Sequence, residues 1–108
     1  MRALEHPSVD SVDLPALLQA LADPVRLDIV AKLMQCEAIT CGGFDVPVSM
    51  STLSHHLKVL RMAGLLRVIQ EGSFRRNELR YDEIEARFPG VLSSILRNVP
   101  DQLGATAS

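Results

Sequence analysis

Residues 49–81 read SMSTLSHHLKVLRMAGLLRVIQEGSFRRNELRY, and the fold turns on them. Leu53, Leu57 and Leu60 recur at i, i+4 and i+7, one stripe of an α-helix. Ser49 or Ser51 supplies a hydroxyl cap at its start, and Gly64 followed by Leu65 carries the glycine-plus-apolar signature of a Schellman stop. The spacing predicts a helix over residues 50–63. Residues 65–70 are rich in branched side chains, Glu71-Gly72-Ser73 supplies a turn, and residues 75–81 alternate, so a β-hairpin follows the helix.

Upstream, Leu14, Leu17, Leu18 and Leu21 mark one face of a helix that begins near Asp13. Asp23-Pro24 stops it and starts another, because Asp caps well and Pro fits a first helical position where no backbone donor is needed. That second helix runs to about Gln35, with Val25, Ile29 and Leu33 on one side. Residues 36–48 break the pattern, and Gly42-Gly43 and Pro47 leave room for a short helical turn at 41–46. Downstream, residues 82–88 suit a short helix, and Pro89 opens another that carries Val91, Leu92, Ile95, Leu96 and Val99. Residues 1–12 read as a flexible tail and 101–108 as a second, leaving 13–100 as one domain. Helix, helix, turn, helix, hairpin, helix is a mainly α fold with a small β-hairpin, the winged helix-turn-helix arrangement. It is one that sets a helix in a DNA groove and a hairpin on the flanking backbone.

Composition fits such a domain. The chain has 108 residues, 47% apolar and 22% charged, enough for one core. No apolar run is long enough to span a membrane, and Glu5, His6, Asp10 and Asp13 leave no apolar leader core, so a cytoplasmic location is expected. Aromatics are 4% with no Trp, which argues against a stacking platform for single strands. The net charge of −2 is uneven: residues 51–80 hold six basic and two acidic side chains, while both flanks are acidic. A positive middle in an acidic protein suggests a local footprint for an anion. No nucleophile–base–acid set and no glycine-rich phosphate loop stands out, so no enzymatic activity is expected.

Two stretches carry a family resemblance. LLQALADPVRLDIVAKL, residues 17–33, resembles the entry to the core helices of the ArsR/SmtB family. STLSHHLKVLRMAGLLRVIQEGSFRRNELR, residues 51–80, is similar to that family's recognition helix and wing, and the likeness covers about 13–81. The resemblance implies a small homodimeric transcriptional repressor that leaves its operator when an inducer binds. The chain departs from the metal-sensing members: VSMST at 48–52 stands where a Cys-Val-Cys-type box would be, and the last helix lacks a His and carboxylate set. No metal site is expected there.

The DNA-reading candidates follow from geometry. With the leucines inward, Ser51, Thr52, Ser54, His55 and Lys58 face outward near a helix start, where small hydroxyls and backbone N–H groups can approach phosphates and base edges. His56 sits at the core edge with a hydrogen bond. His55 and His56, adjacent on a helix, diverge by about 100° and do not make a metal pair. On the wing, Arg75 and Arg76 point to opposite faces, so one meets DNA and the other can pair with Glu71 or Glu78. Cys36 and Cys41 stay open between two readings. They are either small buried fillers, the favoured reading, or a thiol sensor that oxidises or takes a thiophilic metal or metalloid. Spare apolar residues on the terminal helices suit a homodimer, which would place two recognition helices on an inverted-repeat operator in double-stranded DNA, half-sites ~34 Å apart.

Overall fold

The computed structural model describes residues 2–3, 6–36, 39–40, 44 and 46–99. Five helices surround one core: α1 (Leu14–Leu21), α2 (Pro24–Met34), α3 (Met50–Met62), α4 (Tyr81–Arg87) and α5 (Val91–Arg97). The strands are β1 (Arg2–Ala3), β2 (Ile39–Thr40), β3 (Leu66–Glu71) and β4 (Phe74–Leu79). The architecture is the mainly helical winged one expected.

Local chemistry explains the boundaries. Asp23 Oδ1 accepts from the N–H groups of Val25 and Arg26 at 2.8 and 3.1 Å, capping α2. Burial pushes that carboxyl up, but the Arg26 and Val25 N–H bonds outweigh it, so its pKa lies below the ordinary 3.8. At α3, Ser49 is the cap, its Oγ accepting from Thr52 N–H at 3.3 Å. The helix ends in the expected Schellman pair, Gly64 N–H to Arg61 O at 3.1 Å and Leu65 N–H to Leu60 O at 3.0 Å, with Gly64 at φ +91°. A Cβ on Gly64 would lie 2.4 Å from Val12 Cγ2, so glycine is needed there for space as well as for φ. The hairpin closes over Gly72-Ser73, with Glu71 opposite Phe74 and Gly72 at φ +60°, the sign a two-residue hairpin turn of this kind requires. Tyr81, expected at the end of the return strand, instead opens α4.

Leu17 and Leu21 of α1, Ile29, Val30 and Leu33 of α2, and Leu53, Leu57 and Leu60 of α3 share one core with Leu65, Leu66, Ile84 and Leu92. Burying each leucine is worth roughly 1.5–3 kcal/mol. The three on α3 therefore fix its roll, and its polar side must face out. Leu18 departs from the expected α1 stripe: it is 45% exposed.

Two features escape the linear reading. The sheet has four strands in the order β1-β3-β4-β2, both outer ones antiparallel to the hairpin. Within residues 1–12, expected to be a loose tail, the described residues 2–3 and 6–12 are tied to the fold. Arg2 and Ala3 pair with Gln70 and Ile69, and His6 Nε2 accepts from Val68 N–H at 2.8 Å. Arg80 Nη1 donates to Pro7 O at 2.9 Å, and Val12 is buried. The helical turn expected at 41–46 lies largely outside the described residues.

Candidate nucleic-acid interface

The anchoring of α3 leaves Ser51, Thr52, Ser54, His55 and Lys58 all exposed, as the leucine stripe requires. Ser51, His55, Lys58 and Met62 follow i, i+4, i+7 and i+11, the ridge of the solvent face. At the helix start the hydroxyls form a small network: Ser49 Oγ donates to Thr52 Oγ1 at 3.0 Å and lies 3.2 Å from Ser51 Oγ. His56 is buried at the core edge, 3.3 Å from Arg26 Nη1 through Nδ1. A guanidinium can only donate, so Nδ1 is the acceptor in this contact.

On the wing side, Ser54, Lys58 and Arg61 of α3 share a cleft of about 240 Å³ with Val68, Arg75 and Asn77. Arg75 is exposed, and its Nε donates at 3.2 Å to Oε1 of Gln70, its cross-strand partner. Gln70 in turn donates to Gly72 O at 2.8 Å, tying the arginine to the hairpin turn. Arg61 was not among the sequence candidates. Its signal was available: Ser54, Lys58 and Arg61 stand at i, i+4 and i+7, the edge of α3 nearest the wing.

The other face of the wing behaves differently. Arg76 lies between Glu71 and Glu78, at 3.0 and 3.1 Å, so the expected pairing occurs with both acids. Arg67 reaches Glu83 of α4 at 2.9 Å, and the buried Arg80 pairs with the same carboxylate. Burial opposes ionisation of Glu83, but the hydrogen bonds from Arg67 and Arg80 prevail and hold its pKa below the ordinary 4.5. The positive middle of the sequence therefore overstates the charge on the α3 side. Arg67, Arg76 and Arg80 are matched by glutamates, whereas Lys58 and Arg75 are exposed at the cleft, which Arg61 also lines.

Cys36 follows α2 as an exposed free thiol, so the buried-filler reading does not hold for it. Cys41 lies outside the described residues. Among the described residues, no helix is long and apolar enough to cross a membrane.

Residues 21–69, which hold α2, α3 and most of β3, match a helix-turn-helix domain family. The chain is also 30% identical over 82 residues to YceK of Bacillus subtilis strain 168, described as an uncharacterized HTH-type transcriptional regulator. That likeness covers 73% of this chain and 82% of the relative. The capped α3 with its outward polar ridge, the wing beside it and these two likenesses agree: the chain belongs to the helix-turn-helix family of DNA-binding transcriptional regulators.

Proposed function

We propose that the protein is a cytoplasmic, homodimeric repressor of the ArsR/SmtB type that binds an inverted-repeat operator and leaves it when an inducer binds. The observation that carries the DNA-reading part is the common cleft of α3 and the wing, where Lys58, Arg61 and Arg75 meet beside the exposed ridge of α3. In this reading α3 enters the major groove. Ser51, Thr52, Ser54 and His55 address base edges, while Lys58 and Arg75 hold phosphates. Arg76, paired on the far face of the wing, contributes shape and not contact. The second copy joins through α1 and α5. In support, Leu18 is exposed on α1, and Val91, Ile95, Leu96 and Val99 are only partly buried on and beside α5.

The test is fluorescence anisotropy on duplex DNA from upstream of the protein's own gene, across a salt series. Binding should weaken steeply with salt, and His55→Ala should change the ranking of operator variants. A chain that shows no salt-dependent duplex binding is instead a winged module for a protein partner. A monomer at micromolar concentration would remove the two-fold operator from the reading.

A further inference from the structure

On the side of α3 away from the wing lies a second concavity, between α1, the start of α2 and α3. We propose that it binds an amphipathic carboxylate, a single carboxylate on an apolar body. The groove is open to solvent and offers about 550 Å³, within the range of sites that take small organic molecules. Ala16 and Ala20 of α1 face Val59 and Ala63 of α3 across it, and these small side chains keep the helices' facing surfaces open. None of the described residues lining it is acidic, although acids outnumber bases in the chain, 13 to 11. Its charged or titratable side chains are Arg26, His55 and Lys58.

Arg26 is the anchor. Its Nε donates to Ala20 O at 2.7 Å and its Nη1 to His56 Nδ1 at 3.3 Å. Those bonds tie the guanidinium to both α1 and α3. They use two of its five N–H groups, and the other three have no acceptor among the described residues. Asp23, three residues earlier, gives its Oδ1 to the α2 cap, and its charge also bears on Arg26 and His56, so an incoming carboxylate shares this guanidinium with a resident one. A guanidinium held beside an apolar floor, with both Nη2 hydrogens left over, suits a carboxylate, whose charge strengthens the bond it accepts.

His55 and Lys58 belong to both the groove and the face assigned above to DNA. A bound carboxylate and the operator would therefore exclude one another, and the groove acts as a directly competitive inducer site. Only this consequence rests on the DNA reading; the site itself does not.

The test uses the full chain without DNA, with sodium octanoate as probe and 1-octanol as its uncharged counterpart, followed by amide chemical shifts. Octanoate should shift residues 16–20 and 55–63 saturably, and octanol should bind at least about tenfold more weakly, because the charge-assisted bonds are lost. Ala16→Trp and Gln19→Trp, which fill the groove from α1, should each abolish the shifts, and Lys58→Gln should weaken them. In a second arm, octanoate should release operator DNA over the same concentration range. No saturable shift, equal affinity for octanol, or shifts confined to the wing would overturn the proposal. So would tryptophan variants that turn a dimer into monomers yet leave octanoate affinity intact, because the groove would then be an interface between copies. A chain that binds octanoate here but no duplex would retain the site and lose the competition.

Discussion

The wing carries arginines on both faces, and the two faces use them differently. Arg75, on the face towards α3, is steadied by neutral Gln70 and lines the same cleft as Lys58. Arg67, Arg76 and Arg80 are matched by Glu83, Glu71 and Glu78. Strand alternation separates Arg75 from Arg76, and chain reversal brings α4 and its Glu83 under Arg67 and Arg80. A cation's duty here is set by the carboxylates that the fold delivers to its side of the sheet. The same residue type thus serves cohesion on one face and, in the proposed reading, meets an outside anion on the other.

The hardest way to break this comparison is Arg80→Ala. The side chain is 5% exposed and holds both Pro7 O and Glu83. Its loss should lower stability by about 2 kcal/mol, because a buried hydrogen-bonded ion pair is broken while its carboxylate can still reach water. The shift should appear in the urea midpoint, with the salt slope of DNA binding unchanged. Next in size, Lys58→Ala and Arg75→Ala should each reduce that slope by about one, while Arg76→Ala leaves it in place. An equal fall for Arg76→Ala would erase the distinction between the faces.

Acid sharpens it further. The folded pKa of Glu83 lies below 4.5, so the folded state binds fewer protons than the unfolded chain as that pH is approached from above. Its stabilisation is fully present above that range and is lost as pH falls through the folded pKa. Asp23 adds a loss of the same sign from its ordinary 3.8 downwards. Urea midpoints taken between pH 7 and 3 should drop, and Glu83→Gln should flatten the curve. The smallest effect is expected at the exposed Cys36: Cys36→Ser should stay within about 0.5 kcal/mol of the parent. Operator binding with and without a thiol oxidant then separates a sensor from a bystander, since a sensor would lose its response.

Much of this was legible in the chain. The leucine stripe, a serine cap at Ser49 or Ser51, the Gly64–Leu65 stop and the glycine turn gave α3 and the hairpin, because each is a local signal within a few residues. Alternation separated Arg75 from Arg76 for the same reason. What remained hidden depends on distant partners. A two-residue strand such as β1 or β2 has no period to read, and its pairing is decided by an edge more than thirty residues away. Arg67 and Arg80 looked like part of a basic footprint because Glu83 falls just past the charged window. Arg26 carries no signal in the linear pattern, because its partners, Ala20 O and His56, meet it only in the fold.

The strand order leaves the hairpin in the middle of its sheet. Arg2 and Ala3 lie along one rim and Ile39 and Thr40 along the other, with the His6 ring taking the Val68 N–H next to β1. An uncovered rim of paired strands is a template on which another copy can extend the ladder and start a polymer. Among the described residues the outermost strands are two residues each, so the ladder that either rim offers to another chain is short.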